Sequence, residues 1–180
     1  MKKIDSFISK DNRFKLYNND TFKLLPELDT KFNLIFADPP YFLSNDGLSI
    51  QSGKVVSVNK GEWDKGAGFN KIDEFNYKWL KIAKDKLTDN GSVMISGTYH
   101  NIFSIGRILQ ALDYKILNII TWEKTNPPPN FSCRYLTHST EQIIWARKSE
   151  KYKHIFHYDL MKFLNDGKQM RDVWRFNAIA

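Results

Sequence analysis

The sequence predicts an α/β domain built on a mainly parallel sheet with an antiparallel C-terminal strand pair. Three observations predict it. Apolar runs of strand length alternate with helical stripes from residue 14 to residue 112. Phe32-Asn33-Leu34-Ile35-Phe36-Ala37 is nearly continuously apolar, which suits a strand buried on both faces of a parallel sheet. Between the strand-like segments Tyr114–Trp122 and Glu141–Ala146 there is no helical stripe. Parallel neighbours need a long crossover, so these two are expected to pair antiparallel.

The elements follow in order. Phe14-Lys15-Leu16-Tyr17 reads as a short strand. Asp20 is a good N-cap type, and Thr21 to Leu28 reads as the helix that it opens. From Tyr41 to Gly68 the periodicity collapses and five glycines appear, the signature of a long functional loop, with Val55-Val56-Ser57-Val58 as a short strand inside it. Asn70 to Leu87 is helical, because Ile72, Phe75, Trp79, Ala83 and Leu87 fall at steps of three and four. Asp89-Asn90-Gly91 signals a turn before the strand Ser92–Ser96. Ile102, Ile105, Ile108, Leu109 and Leu112 mark the next helix. Asn126-Pro127-Pro128-Pro129-Asn130 must be loop, since three prolines remove three donors and fix φ. His154 to His157 is a candidate short strand, and Met161 to Arg175 is ambiguous.

Composition narrows the function classes. The chain has 180 residues, 42% hydrophobic and 26% charged, enough for one globular domain. No run approaches the ~20 apolar residues of a membrane span. The single cysteine, Cys133, makes neither an internal disulfide nor a cysteine-rich zinc site, which fits a reducing, cytoplasmic setting. The 27 basic and 20 acidic residues leave +7, and residues 121–180 carry the largest share, a bias that steers polyanions.

One tetrapeptide carries chemistry. Asp38-Pro39-Pro40-Tyr41 follows the apolar strand directly, at the strand end where open α/β sheets bind ligands. Its carboxylate and the Pro39 carbonyl are two acceptors suited to the two hydrogens of an exocyclic amine. The Tyr41 ring offers a face to a planar base. The lone pair of such an amine is delocalised, and acceptors on its hydrogens favour pyramidalisation, so that it can attack an electrophilic methyl group. This is catalysis by positioning and electrostatics, with no covalent enzyme intermediate.

The tetrapeptide resembles the catalytic motif of S-adenosylmethionine-dependent amino-methyltransferases of DNA. The resemblance extends through Asn19-Asp20-Thr21-Phe22, Gly61-Glu62-Trp63-Asp64-Lys65, Ile95-Ser96-Gly97, Ile120 to Pro127, Ser132-Cys133-Arg134-Tyr135, Thr137 to Glu141 and Asp166 to Met170. Together these look like the β-group adenine-N6 methyltransferases of restriction–modification systems, specifically the DpnA-like enzymes of GATC systems. The resemblance implies that Asp38, Pro39, Pro40 and Tyr41 bind and activate a flipped adenine. It implies that Asp20 and Asp38 line the S-adenosylmethionine pocket, and that the partner is double- or single-stranded DNA. A duplex target must be extruded at a cost of a few kcal/mol, so a single strand is the easier substrate.

The family pattern also places a His-Pro-Thr-Gln-Lys-Pro segment and an Asp-Pro-Phe-x-Gly-Ser-Gly-Thr-Thr cofactor segment after the catalytic strand, and neither occurs in the sequence. The expectation is therefore an incomplete Rossmann-like methyltransferase fold. Residues 1–150, with the loop 42–69, form the catalytic part, and residues 151–180 begin a truncated target-recognition region. The glycine-rich motif would then come from a missing C-terminal segment or a second chain. Alone, the chain would bind cofactor weakly and be inactive or unstable. Alternative readings are N4-cytosine or RNA amino-methylation, and a non-catalytic nucleic-acid-binding remnant or subunit.

Other residues were weighed on their chemistry. Lys124 and Arg134 flank the proline loop and suit DNA phosphates, against a reading as solvated loop charges. Cys133 follows serine where a cytosine-C5 nucleophile expects proline. His138 with Glu141 could form an acid–base pair, although amino methylation requires none. His154 and His157 have a ligand-like spacing but no partner cluster, so no metal is expected.

Overall fold

The structure is a computed structural model that describes residues 5–42, 48–51, 54–57 and 68–178. Much of the glycine-rich loop, including the Gly61–Lys65 motif and Val58, lies outside the described residues.

A five-stranded sheet organises the chain. Its order is β3 (Phe32–Ala37), β6 (Leu87–Gly97), β8 (Thr140–Arg147), β7 (Lys115–Lys124) and β9 (Val173–Phe176). β3 pairs parallel with β6, and β9 parallel with β7. β8 runs antiparallel to both neighbours. The expected mainly parallel sheet is thus right for strand direction, since four strands run one way. The structure adds that the reversed β8 inserts between β6 and β7, so two of the four ladders are antiparallel. The expected antiparallel pair around the proline loop is β7 with β8.

Two hairpins stand apart from this sheet. β1 (Asp5–Ile8) pairs with β2 (Lys15–Asn18), so the strand expected at Phe14–Tyr17 belongs to a separate ribbon whose first strand the sequence did not announce. β4 (Leu48–Gln51) pairs with β5 (Lys54–Ser57) inside the glycine-rich segment.

The helices match their sequence signals. α1 (Thr21–Glu27) is capped by the Asp20 carboxylate, which accepts from the Phe22 amide at 2.9 Å. α2 (Phe69–Lys86) and α3 (Ile102–Ala111) pack on one face of the sheet. Their Leu80, Ile105 and Leu109 close over Val93, Ile95, Ile144 and Ala146, all 2% exposed or less. Each such Leu or Ile contributes about 1.5–3 kcal/mol on burial. A polar chain ties the two helices. Trp79 Nε1 donates to Asn76 Oδ1, Asn76 Nδ2 to Ser104 Oγ (both 2.9 Å), and Ser104 Oγ to Asp73 Oδ1 at 2.5 Å; Arg107 pairs with the same aspartate. α4 (Tyr158–Leu164) and β9 resolve the segment that was ambiguous in sequence.

Three further expectations are corrected. Burial of β3 on both faces does not hold among the described residues: Ile35 packs against the helix-covered core, while Leu34 and Phe36 on the other face are more than half exposed. Asp89-Asn90-Gly91 is not a turn between elements but a bulge within β6. The register jumps from Phe32↔Leu87 to Leu34↔Ser92, so two steps of β3 face five of β6. Gly91 is required there, since a Cβ would meet the Phe32 carbonyl oxygen at 2.9 Å. His154–His157 forms no strand; Ile155 N donates to Asn90 O beside the bulge. Among the described residues no helix is long and apolar enough to cross a membrane.

Candidate catalytic site at the carboxyl edge of the sheet

Strand directions bring four segments to one edge. β3 and β6 end there with Asp38 and Ser96, and β7 ends there with Lys124. β8, running the other way, starts there with Glu141. The registers Ala37↔Ile95, Gly97↔Gln142 and Trp122↔Glu141 fix this convergence.

Asp38 is exposed, and its Oδ1 is engaged twice. Ser96 Oγ donates to it at 2.5 Å and the Tyr41 hydroxyl at 2.8 Å. Among the described residues no donor engages Asp38 Oδ2 or the Pro39 carbonyl. Neither of the two acceptors that the sequence singled out is thus taken up by a donor among the described residues; Asp38 is exposed and Pro39 half-buried. The next carbonyl is spoken for: Asn101 Nδ2 donates to Pro40 O at 2.9 Å. Asn101 is 1% exposed, and among the described residues its Oδ1 has no hydrogen-bond partner. Gly97 makes room for it, since a Cβ there would lie 2.6 Å from Asn101 Oδ1. The backbone after the two prolines is thus held by Asn101, which stands at the N-cap of α3 but makes no side-chain cap bond there.

Tyr41 also lies 3.4 Å from Glu141 Oε2, and Glu141 Oε1 accepts from Lys124 Nζ at 2.5 Å. Burial pushes the Tyr41 hydroxyl well above the ordinary tyrosine value. The Asp38 and Glu141 carboxylates push the same way, and the Ser96 hydroxyl opposes them. Phe42 follows with φ 58, a left-handed conformation rare for an aromatic residue, and is held by burial. Its ring meets Phe75 edge-on at 5.7 Å, and Phe75 meets Phe22 at 5.4 Å. This bridge links the catalytic turn to α1 and its cap, Asp20.

The other candidate residues fall as follows. Asp20 has local partners, the Phe22 amide and Lys23, and its side chain is 47% exposed. Arg134 is exposed on the proline loop. Lys124 is turned inward on Glu141 instead of outward. Cys133 is exposed on the same loop. His138 stacks between Tyr99 and Tyr135, while Glu141 faces Lys124 and Tyr41; the two do not form an acid–base pair. His154 packs against Trp145, and burial holds its imidazole below the usual histidine range. Among the described residues no cluster of metal-ligating side chains exists. Ser96, Asn101 and the Glu141–Lys124 pair had no role in the sequence reading. The signals for Ser96 were its place at the end of a buried strand and the Ile95-Ser96-Gly97 segment of the resemblance.

The site can do what two rigid acceptors and an aromatic face allow: bind a planar amine and draw on its hydrogens. The chain is 53% identical over 175 residues to the type II methyltransferase M2.MboI of Moraxella bovis, covering 97% of this chain and 64% of that one. It is 58% identical over 165 residues to M2.DpnII of Streptococcus pneumoniae, covering 91% and 62%. The chain thus spans somewhat less than two thirds of the curated relatives it matches. Among solved structures, the cytosine-N4-specific PvuII DNA methyltransferase superposes with a TM-score of 0.66 at 14% identity, over 89% of this chain and 56% of that one. The M1.HpyAVI–SAM complex gives 0.54 at 20% identity, over 88% and 61%. These two likenesses establish the fold. A family model described as DNA methylase matches residues 32–179, and the chain belongs to that family.

Proposed function

We propose that this protein transfers a methyl group from S-adenosylmethionine to N6 of adenine in DNA, in the GATC context that the sequence resemblance implies. The observation that carries the reading is the pair of open acceptors at the end of β3. Asp38 Oδ2 and the Pro39 carbonyl accept the two amine hydrogens, while Ser96 and Tyr41 fix the other carboxylate oxygen. The Tyr41 ring stacks on the extruded base, worth about 1–3 kcal/mol. As the amine becomes cationic, Asp38 balances the charge and takes the proton that the amine gives up. S-adenosylmethionine, when bound, supplies an electrophilic methyl group. The half-exposed Asp20 carboxylate and Asp38 fit a cationic, hydroxyl-bearing group and would hold it.

The net charge of +7 and exposed Arg134 favour a polyanionic partner, with residues 151–180 as the start of a target-recognition region. A reducing, cytoplasmic setting accords with the lone, exposed Cys133. The test is nucleoside analysis of single- and double-stranded oligonucleotides after incubation with S-adenosylmethionine and the chain completed by a segment carrying the glycine-rich cofactor motif. N6-methyladenine is expected. N4-methylcytosine alone would overturn the adenine assignment, and unmodified DNA would overturn the reading.

A further inference from the structure

Lys124 and Glu141 form the most enclosed ion pair among the described residues. Both side chains are 17% exposed, whereas every other such pair has a partner at least 60% exposed. The ammonium is committed on two sides. It sits 2.5 Å from Glu141 Oε1 and 5.2 Å from the centre of the Trp122 ring. Backbone pairing fixes its base, with Lys124 N donating to Ser139 O at 2.8 Å. Glu141 turns its other oxygen to the Tyr41 hydroxyl at 3.4 Å. That hydroxyl has one proton, which Asp38 Oδ1 accepts at 2.8 Å. Two carboxylates thus share one phenol, an arrangement that repels itself unless one charge is compensated.

We propose that Glu141, compensated by Lys124, is a positioning residue for Tyr41. The inference rests on the methyl-transfer reading, because Tyr41 is the face that meets the base. A phenol anchored only at Cα swings about its side-chain torsions. Flanked at the hydroxyl by Asp38 on one side and Glu141 on the other, it presents one fixed plane. Glu141 is the second residue of the strand β8 rather than part of a loop, so the anchor is rigid. Lys124 therefore serves the interior of the site and contacts no phosphate.

Four measurements test this, the kinetic ones on the chain completed by the glycine-rich segment. Lys124→Met leaves two uncompensated carboxylates at Tyr41, and kcat falls roughly ten- to hundredfold with KM for DNA little changed. Adding Glu141→Gln to Lys124→Met removes the repulsion and keeps a neutral acceptor at Tyr41, so most of that loss is recovered. The salt dependence of DNA binding is unchanged in Lys124→Met, whereas a phosphate contact would lower the slope of log K against log salt by about 0.7–0.9. In denaturant unfolding, which needs neither DNA nor turnover, the Lys124→Met and Glu141→Gln effects are non-additive, the double variant being more stable than the sum predicts. Additive unfolding effects, a slope lowered by nearly one, or a double variant no better than Lys124→Met would each overturn the proposal. If the wild-type chain, completed by the glycine-rich segment, transfers no methyl group, the functional reading falls separately, and the unfolding cycle still tests whether the two charges are coupled.

Discussion

Ser96 Oγ reaches across the β3–β6 ladder to donate a 2.5 Å hydrogen bond to Asp38 Oδ1. The contact follows from register: Ala37 pairs with Ile95, so the next residue on each strand meets its counterpart at the sheet edge. Ser96 is 8% exposed and Asp38 is open to water. A buried donor thus holds one oxygen of an exposed carboxylate, and its other oxygen has no donor among the described residues. Ser96→Ala should lower kcat roughly tenfold through lost alignment. It should cost only about 1 kcal/mol of stability, because water can replace the donor on Asp38. Steady-state kinetics beside a denaturant melt check both; equal loss in an unrelated core alanine variant of matched stability would refute a positioning role.

The carbonyl of Pro40 gives a second handle. Gly97→Ala would drive a methyl group into Asn101 Oδ1, 2.6 Å away, and push Asn101 off Pro40. Overpacking of this kind costs about 1–3 kcal/mol. Asn101→Ala would remove the tether without the clash. Both variants should lose more transfer activity than their melting temperatures explain, and wild-type kinetics in Asn101→Ala would show that the tether is dispensable.

Asp73 predicts a pH dependence. The Ser104 hydroxyl, then Arg107, hold its carboxyl below the ordinary aspartate value. A depressed folded value means that the stabilisation is present above the unfolded value, about 3.9. It is lost as pH falls through the folded value. Wild type should therefore exceed Asp73→Asn in stability at neutral pH by about 1 kcal/mol at most, since Arg107 is largely exposed. The gap should close in acid below pH ~4. A gap that persists in acid would contradict the assignment.

Tyr41 predicts the opposite limb. Its hydroxyl is pushed above the ordinary tyrosine value, chiefly by burial. An ultraviolet titration of wild type against Tyr41→Phe should show no phenolate from Tyr41 through pH ~10, where a free tyrosine is half ionised. Ionisation of Tyr41 at that pH would mean the hydroxyl is solvated and unconstrained.

Much of this fold was legible because local and global signals agreed. β3 spans the six residues that the apolar run marked, and α2 begins within one residue of its expected start. The cap on Asp20 and the core stripe Ile72, Ala83 and Leu87 are where periodicity put them. The misses share a cause: they depend on partners distant in sequence. Asp89-Asn90-Gly91 carries turn chemistry that the pairing with β3 absorbs as a bulge. β1 and β9 are four-residue strands defined by the strands they join. Asn101 has the residue type of a helix cap, but its side chain is drawn to Pro40. Lys124 looked like a surface cation because Glu141 lies seventeen residues away, and only the β7–β8 hairpin brings them together. In the site itself, the tetrapeptide was legible and its supports were not.

The account turns on Asp38 as the acceptor of the target amine. Single-turnover methyl transfer by Asp38→Ala, measured beside DNA binding, tests that most directly. The account predicts that transfer to adenine N6 falls by roughly a thousandfold, the scale of removing a key electrostatic group. DNA binding should stay close to wild type, because phosphate contacts lie elsewhere. Transfer by Asp38→Ala at near wild-type rate would contradict it.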